Sequence, residues 1–457
     1  MEKKREKKSE KKREELTVDE KQEAQFQKLL TPKDPAGNDL TFQSPEAKTN
    51  FKATITRFKD AIQLRKPDRV PVTIFPSMFP FTYAGMTIQE AMYDYDRCVA
   101  GFKKFVLDFK PDVHWGAAGP GPGKFYEILD YKLYAWPGHG VAPTSSYQCL
   151  EGEYMKAEEY DLLMTDPSFY FRNFYLPRVF GALGPWSMLP PLTGILEMYG
   201  VAFNFIPYGL PPVQAAYKAL FEAGAEALKW AMAVGGVDGE LATLGFPQIL
   251  GGFTKAPFDV IGDTLRGTKG IIMDMYRQPD KLLQAMEAIT PIMIGMGLGA
   301  SQQTGKPFIF MPLHKGADGF LSDEQFKKFY WPTLRKVMVG LIEGGCIPLV
   351  AAEGGYNTRL KVIRDLPKGK TLWMFDQTDL FKAKEMVGNT LCILGNVPSA
   401  MLQLGTPQDV KDYCKKLIDK VGKGGGFIMS NGAFFDEAKP ENVKAMIDFT
   451  KEHGVYK

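Results

Sequence analysis

The chain has 457 residues, of which 45% are hydrophobic and 24% charged, so it can bury a large core and has an ordinary globular composition. The formal net charge is +3, and residues 1–15 alone carry eight Lys or Arg and five Glu, which leaves the remainder close to neutral. A basic surface for nucleic acid is therefore not predicted.

The first 50 residues differ from the rest of the chain. Residues 1–15 have almost no apolar side chains and cannot bury enough surface to fold alone, and the turn-forming residues that follow them predict a linker. We predict an N-terminal extension and linker at 1–50 and one barrel domain at 51–457. The charged N-terminus is unlike a secretory signal, and five scattered cysteines without a CxxC pair favour a cytoplasmic protein.

The most apolar stretch, 181–215, is interrupted by six prolines. A membrane helix needs about 20 uninterrupted apolar residues, so no interaction with a membrane is predicted.

From about residue 51 onward, short apolar runs of strand length alternate with longer amphipathic runs of helix length. Continuous apolar strands that alternate with helices predict a parallel sheet covered on both faces, and eight such units predict a closed (β/α)₈ barrel. The predicted strands are 69–75, 111–116, 247–253, 307–313, 346–352, 371–375, 391–395 and 426–430.

Three helices have clear start signals. Ser322 is a predicted N-cap, and Thr406-Pro407 and Pro440 each open a helix with proline in the first turn. A fourth helix is predicted near 214–233.

A long insertion follows the second predicted strand and spans 117–246. An insertion after a barrel strand lies at the C-terminal face, where barrel enzymes bind their substrates. Its aromatic run SFYFRNFYLP and its apolar stretch indicate a lid or substrate wall. The same apolar surface is equally compatible with an interface between copies of the chain, so a homo-oligomer is possible.

Polar residues concentrate just beyond the predicted strands, where the chemistry of a barrel resides. We assign His314, Glu353 and Asp376 as candidate catalytic residues, and His314 and Glu353 as tentative ligands of a metal ion. Glu353 could instead cap the following helix, and Asp376 and Asp379 could be N-caps. The candidate substrate-binding residues at strand ends are Trp115, Tyr356, Asn357, Asp379, Asn396 and Asn431.

Five ordered motifs resemble the uroporphyrinogen decarboxylase superfamily, and the similarity covers roughly residues 55–455. The resemblance implies a TIM barrel but leaves the reaction open, because the superfamily contains both decarboxylases and methyltransferases that work with corrinoid proteins. The motifs are RVPV (69–72), GGFTKAPFDVIGDTLRG (251–267) with RQPDKLLQAMEAIT (277–290), LSDEQFKKFYWPTLRKV (321–337), GNVPSAMLQLGTPQDVKDYCKKLI (395–418) and GGGFIMSNGAFFDEAKPENVKAM (424–446).

The segment that follows the first strand separates the two chemistries. True decarboxylases of the family carry arginines there, because a substrate with many carboxylates needs guanidinium donors. Here PVTIFPSMFPFTYAGMT (71–87) contains no arginine. We therefore predict that Phe79, Phe81 and Tyr83 line a pocket for an apolar or aromatic substrate.

The resemblance to the family's methyltransferases raises the question of a zinc site. Many of these enzymes bind zinc through a His-x-Cys-Gly motif and a later Cys. The corresponding positions here are Ala351-Ala352-Glu353-Gly354 and Ala433. A Cys-ligated zinc site is therefore not expected, and Glu353 is the polar residue that remains.

The resemblance favours transfer of a methyl group between a small apolar or aromatic donor and a corrinoid. No Asp-x-His-x-x-Gly segment of a cobalamin-binding module is present, so a partner corrinoid protein is expected to carry the cofactor. Two alternatives remain: a decarboxylase acting on a porphyrinogen or related carboxylate, and a non-catalytic barrel subunit of a methyltransferase complex.

Overall fold

The structure is a computed structural model that describes residues 16–34 and 36–457. The charged run at 1–15 lies outside the described residues.

A parallel six-stranded sheet, in the order β4-β5-β6-β7-β8-β9, forms most of a barrel, and a separate small sheet has the order β2-β1-β3. The nine strands are β1 (Tyr134–Pro137), β2 (Gly140–Val141), β3 (Gln148–Cys149), β4 (Leu250–Phe253), β5 (Phe308–Leu313), β6 (Ile347–Ala352), β7 (Leu372–Phe375), β8 (Cys392–Val397) and β9 (Phe427–Asn431).

Two short extended segments close the sheet into a ring. Val72 pairs in parallel with Met429 of β9, Thr73 pairs with Val113, and His114 pairs with Gln248 just before β4. The (β/α)₈ barrel is therefore confirmed, with eight segments at the predicted places. The first two are single bridges rather than regular strands. Pro71 contributes to this irregularity, because proline has no N–H to donate to a ladder.

The barrel interior is filled by alternate residues of the strands. Val113, Leu349, Met374, Leu394 and Ile428 belong to one buried cluster, while their neighbours along the strands pack outward against the helices. Both faces of each strand are covered, which explains the continuous apolar runs in the sequence.

The N-terminal residues from Val18 onward are part of the barrel rather than a linker. Phe26 of the first helix packs edge-on against Phe308 at the start of β5, with ring centroids 6.2 Å apart. In the same helix, the Gln22 side chain donates to the Cys346 carbonyl at 2.9 Å. The predicted boundary at residue 50 is wrong, because helix Pro45–Ile62 crosses it and packs in the same cluster. These two helices close the N-terminal end of the barrel.

Most of the longer helices cover the barrel wall. Their predicted start signals are confirmed: Ser322 and Thr406 accept hydrogen bonds from Gln325 N and Asp409 N, and Pro440 begins the last helix. The helices are α1 (Val18–Leu30), α2 (Pro45–Ile62), α3 (Tyr95–Phe109), α4 (Pro211–Thr243), α5 (Gly267–Arg277), α6 (Pro279–Thr304), α7 (Trp331–Glu343), α8 (Leu380–Val387), α9 (Pro407–Leu417) and α10 (Pro440–His453).

Shorter helical segments complete the chain. They are short α, 3₁₀ or π segments. In sequence order they are Phe79–Tyr83, Ile88–Tyr93, Gly123–Leu129, Ala157–Glu159, Tyr160–Thr165, Pro167–Tyr170, Phe171–Tyr175, Leu176–Val179, Gly181–Met188, Leu192–Gly194, Met198–Phe205, Ile206–Gly209, Pro257–Asp259, Val260–Leu265, Asp323–Gln325, Phe326–Tyr330, Leu360–Ile363, Ser399–Leu404 and Ile418–Gly422.

The insertion contains the small sheet, most of the short helices and α4. The helix predicted near 214–233 is longer than expected, since α4 runs from Pro211 to Thr243. Lys315 at the end of β5 contacts Glu151 just after β3, with Nζ 3.2 Å from Oε1. The insertion therefore reaches the C-terminal end of the barrel.

Helix α6 is long and apolar enough, by length and composition, to cross a membrane. Its buried residues recur on one face, for example Leu282, Met286, Ile289 and Met293. On the same face Gly297 lies against Ile309 of β5. This is the pattern of a barrel helix with one side against the strands.

Candidate active site

His314 follows the end of β5 and is held from one side by an aspartate. Its Nδ1 lies 2.6 Å from Asp263 Oδ2. The backbone N–H of His314 and that of Lys315 both donate to the buried carboxylate of Asp259 at 3.1 Å. Asp259 also accepts a hydrogen bond from the Tyr330 hydroxyl at 2.6 Å. The position and the orientation of the imidazole are therefore both fixed by carboxylates.

Two lysines share the same aspartate. Lys255 Nζ lies 2.6 Å from one oxygen of Asp263, and Lys315 Nζ lies 3.1 Å from the other. Burial raises the pKa of Asp263, but the hydrogen bond from His314 and the charge of Lys255 outweigh it, so the pKa is lowered overall. Asp263 therefore remains ionised at neutral pH.

The contact with Asp263 also affects the pKa of His314. Burial lowers the pKa of His314, but the hydrogen bond and charge of Asp263, together with the charge of Glu353, raise it above its ordinary value. A histidine in this setting carries a proton more readily near neutral pH, which suits a general acid.

Glu353 follows the end of β6 and faces the other imidazole nitrogen. Its Oε1 lies 3.7 Å from His314 Nε2, and the side chain is 43% exposed. Burial raises the pKa of Glu353, the charge of His314 lowers it, and the carboxylates of Asp259, Asp263 and Asp376 add to the increase, so the pKa is raised overall. The alternative role as a helix cap is wrong, because the next helix begins at Leu360 with Arg359 as its N-cap residue.

Asp376, at the end of β7, supports the turn that carries Glu353. Its Oδ2 accepts a hydrogen bond from Gly354 N at 3.1 Å. Burial raises the pKa of Asp376, and the hydrogen bond from Gly354 opposes this. Asp376 thus contacts the backbone beside Glu353.

Two of these groups, Glu353 and Asp376, line a cavity of about 230 Å³ at the mouth of the barrel, and its other lining residues are Ala351, Ala352, Met374, Gly432, Ala433 and Phe434. The three positions that would hold thiolate-bound zinc in the resembling methyltransferases therefore do converge in space. Ala351 and Ala433 offer no donor atom, so the residues present do not fit such a zinc site. Across residues 16–34 and 36–457, no group of three His, Cys, Asp or Glu side chains is placed to hold a metal ion.

The predicted aromatic pocket wall at 79–83 is wrong. Phe79 and Phe81 are 2% and 1% exposed. Phe79 packs against Phe105 and Phe109 of α3, outside the barrel. The Tyr83 hydroxyl donates to Asp108 on the same helix at 2.8 Å. These side chains join the first barrel segment to α3, so none of them lines the mouth.

The residues predicted to bind substrate after β6 and β7 support loops instead. Tyr356 is fully buried. Asn357 Oδ1 accepts a hydrogen bond from Asp379 N at 3.0 Å. Asp379 is the N-cap of α8, since its carboxylate accepts from Phe381 N and Lys382 N. The N-cap alternative for Asp379 is therefore correct, and its substrate-binding assignment is not supported.

Asn396 and Asn431 are also engaged in the scaffold. The Asn396 amide donates to the carbonyls of Asp376 and Thr378, and its oxygen accepts from the Tyr413 hydroxyl. Asn431, which is fully buried, exchanges two hydrogen bonds with the Phe75 backbone and so joins the first barrel segment to the last strand. Neither amide is available to a substrate.

Trp115 is the predicted aromatic residue that stays near the mouth. It is partly exposed and stacks on Phe75 with ring centroids 4.3 Å apart. Phe75 contacts Phe434 of the mouth cavity, at 6.0 Å between centroids. A contact between Trp115 and substrate therefore remains a prediction.

Asp259, Asp263 and Lys255 were not predicted as site residues. They lie in KAPFDVIGD (255–263), within a motif that carried the family resemblance, and the two aspartates are four residues apart directly after β4. That spacing places both carboxylates on one side of a helical turn, which was the available signal.

A second cavity, of about 370 Å³, lies within the insertion. Eight of its thirteen lining residues are aromatic, and none of the thirteen carries a charge. Its wall includes Tyr131 stacked on Phe180 with centroids 4.7 Å apart, and Tyr134 edge-on to Tyr147 at 5.5 Å. Burial raises the pKa of Tyr147, and the charges of Asp436 and Glu353 add to the increase.

Comparison with known proteins agrees with this architecture. Residues 241–453 match the family model described as Uroporphyrinogen decarboxylase (URO-D). A solved structure, a methyltransferase from Methanosarcina mazei, is 16% identical in sequence, with a TM-score of 0.57 over 87% of this chain and 98% of that chain. No curated protein matches the chain. The resemblance to the superfamily and its barrel fold is thus confirmed.

Proposed function

We propose, on the premise that this chain shares the uroporphyrinogen decarboxylase family's barrel, that it is a methyltransferase. In this proposal it moves a methyl group between a small apolar or aromatic donor and the corrinoid of a partner protein. The observation that carries the proposal is the imidazole of His314, fixed by Asp263 on one side and facing Glu353 on the other at the open end of the barrel.

The arrangement suits the release of a poor leaving group. When a methyl–oxygen bond breaks, its electron pair stays on oxygen, and the methyl group bonds to the electron pair that cobalt(I) of the partner's corrinoid supplies. The oxygen then needs a proton, because an alkoxide or phenoxide leaves slowly. His314 Nε2 faces Glu353, which lines the mouth cavity, and can donate that proton, while Asp263 stabilises the imidazolium before transfer.

Glu353 and Asp376 have supporting roles in this scheme. Glu353 has a raised pKa and lies within 3.7 Å of His314 Nε2, so it can return a proton to the imidazole after turnover. Asp376 holds the Gly354 N–H and thereby fixes the turn that presents Glu353.

The charges at the mouth argue against the decarboxylase alternative. A substrate with several carboxylates needs several uncommitted cations. The two lysines nearest the site, Lys255 and Lys315, both bind Asp263. No arginine is among the residues that line the mouth cavity. The non-catalytic alternative does not explain why a partly buried aspartate and two lysines should lie beside an imidazole that faces Glu353 of the mouth cavity.

The proposal is tested by measuring methyl transfer to free cob(I)alamin. Methyl ethers, methylated amines and methyl thioethers are supplied in turn as the methyl donor. We expect one donor class to yield methylcob(III)alamin, seen by its absorbance, and His314→Gln to reduce the rate by about 10²–10⁴-fold. His453→Gln, a change at an exposed histidine of α10, is the matched control. Turnover of uroporphyrinogen without methyl transfer from any donor would overturn the proposal.

A further inference from the structure

The aromatic cavity of the insertion is built unlike the rest of the barrel surface. Its rings come from distant parts of the insertion: Tyr126, Tyr131, Tyr134 and Trp136 from the segment around β1, Tyr147 from before β3, and Phe180 from beyond it. Tyr126 also packs edge-on against Trp136 at 5.6 Å. The fold has therefore assembled a set of aromatic faces around about 370 Å³ of space.

Two carboxylates, Asp436 and Glu353, lie on the side of the cavity that Tyr147 forms. Asp436 is held beside Ser146, next to Tyr147, by a hydrogen bond of 2.5 Å, and it also accepts from Met78 N at 3.2 Å. Burial raises the pKa of Tyr147, and the charges of Asp436 and Glu353 raise it further, so both carboxylates act on this ring. The two lysines at the mouth are paired with carboxylates, Lys255 with Asp263 and Lys315 with Asp263 and Glu151, so neither lysine is free to repel a cation.

An aromatic wall with carboxylates beside it selects for one class of ligand. The face of an aromatic ring is electron-rich and attracts a cation, most strongly where water is excluded, and cages of Tyr and Trp bind quaternary ammonium groups in this way. A neutral aromatic ligand would gain from stacking but nothing from the carboxylates, and an anionic one would be repelled.

We propose that this cavity binds a methylated ammonium cation, a small ion whose methyl groups form an apolar surface, and that the methyl donor of the proposed reaction is of this class. The inference rests on the proposed function for the second part only, because the binding of the cation requires no turnover.

Methyl transfer from such a donor accounts for every bond, electron pair and proton. The carbon–nitrogen bond breaks with its electron pair retained by nitrogen, and the methyl group bonds to the electron pair of cobalt(I), which gives methylcobalt(III) and a neutral tertiary amine. The amine is a strong base and takes a proton as it leaves, and His314 Nε2 is the donor at the mouth. The product departs as an ammonium ion.

Calorimetric titration of the full chain tests the binding. The probes are choline and its neutral carbon isostere 3,3-dimethylbutan-1-ol, which has the same shape without the charge. We expect choline to bind at least about fivefold more tightly than the isostere. Equal affinity, or tighter binding of the neutral alcohol, would overturn the inference in favour of a neutral donor.

Paired substitutions locate the site. Tyr134→Leu and Tyr147→Leu remove an aromatic face each and should weaken choline binding by about 3–30-fold, whereas Tyr134→Phe and Tyr147→Phe keep the face and should stay within about twofold. Unchanged choline affinity in both Leu variants would place the cation elsewhere and overturn the inference. Choline binding without methyl transfer from any donor would leave the binding site in place and overturn the proposed function instead.

Discussion

His314 Nε2 and Glu353 Oε1 lie 3.7 Å apart at the open end of the barrel. The two residues meet because β5 and β6 are parallel neighbours in register, with Leu313 paired to Ala352, so the residue that follows each strand emerges at the same edge. A closed parallel barrel thus brings together side chains that are distant in sequence.

Glu353→Gln tests whether this carboxyl group takes part in proton transfer. The amide keeps the size and polarity of the side chain but cannot exchange a proton with His314. We expect the rate of methyl transfer to fall by about 10²-fold or more, with the far-UV circular dichroism unchanged. Asp379→Asn, a change to another good N-cap at the start of α8, is the control. Full activity in Glu353→Gln would remove the residue from the mechanism.

Asp263→Asn tests the role of Asp263 in positioning and charging the imidazole. If His314 acts as an acid, activity declines as pH rises through its pKa, which Asp263 holds above the ordinary value. The substitution removes that effect, so the alkaline limb of the kcat/KM profile should move to lower pH. Asp419→Asn, near His453, is the control. A lower kcat with an unmoved limb would indicate a purely structural role.

The same pair makes stability depend on pH in two directions. The raised pKa of His314 contributes stability that is fully present below its unfolded value of 6.5 and is lost as pH rises through the folded pKa. The lowered pKa of Asp263 contributes stability that is present above 3.8 and is lost as pH falls. Asp263→Asn should therefore be most destabilising between these two limits.

The sequence predicted the ring of strands and the position of His314 and Glu353, because apolar runs and the polar residues after them follow directly from the barrel's geometry. It did not predict that Asn396 and Asn431 hold loops, since an amide after a strand looks the same whether it faces a substrate or a backbone carbonyl. Phe79 was misplaced for a similar reason: an apolar residue after a strand can pack toward the mouth or toward α3, and only tertiary packing decides. The aromatic residues of the insertion indicated a lid, a substrate wall or an interface between copies, but their pairing around a cavity could not be predicted without coordinates.

Asp238→Asn is expected to stabilise the protein at neutral pH. Asp238 of α4 lies 3.7 Å from His114, with its side chain 17% exposed, and one of its oxygens has no hydrogen-bond partner in the described part of the chain. Burial raises its pKa to about 6 from 3.8, although Lys306 opposes the shift. Ionisation therefore costs stability progressively as pH rises from about 4 to 6.

A neutral amide avoids that cost. A rise in the pKa of Asp238 from 3.8 to about 6 corresponds to an upper bound of roughly 3 kcal/mol, so we expect a gain of about 1–3 kcal/mol in the free energy of unfolding at pH 7. Urea titrations at pH 7 and pH 4 provide the measurement, and the gain should vanish at pH 4. A loss of stability at pH 7 would mean that the charge of Asp238 is needed by Lys306.

The outer surface of the insertion predicts self-association. Met198, Phe203 and Phe221 are 91%, 71% and 70% exposed. Tyr217 links Phe221 of α4 to Tyr208, with centroids at 6.3 and 6.0 Å, so the apolar surface continues from the helix to the preceding loop. Its thirteen large apolar residues present on the order of 1,500 Å², more than the ~800 Å² each partner gives to a standard interface. The set is Met188, Leu192, Leu196, Met198, Tyr199, Val201, Phe203, Phe205, Ile206, Leu210, Phe221, Leu228 and Met232.

We propose a second copy of the chain as the occupant of this surface. Light scattering on a sizing column should give a mass of twice 51.0 kDa. Phe221→Lys combined with Leu228→Lys should give the mass of one chain, because two charges in an apolar interface are not compensated. Leu404→Lys, at an apolar residue that is 75% exposed elsewhere, is the control and should stay dimeric. A wild-type chain that is monomeric at tens of micromolar would contradict the proposal.

Installing zinc ligands tests the geometry of the mouth most directly. Ala351, Glu353 and Ala433 line one cavity, and they occupy the positions that in the resembling methyltransferases carry His, Cys and Cys. The combined substitution Ala351→His, Glu353→Cys and Ala433→Cys should therefore bind about one Zn²⁺ per chain, with the fourth position left to water. Elemental analysis after dialysis measures the zinc, and the same variant with Ala433→Ser in place of Ala433→Cys should retain much less. If the triple variant folds but retains no more zinc than the wild type, then the three positions do not converge on one point, and the shared mouth on which the catalytic assignment depends is wrong.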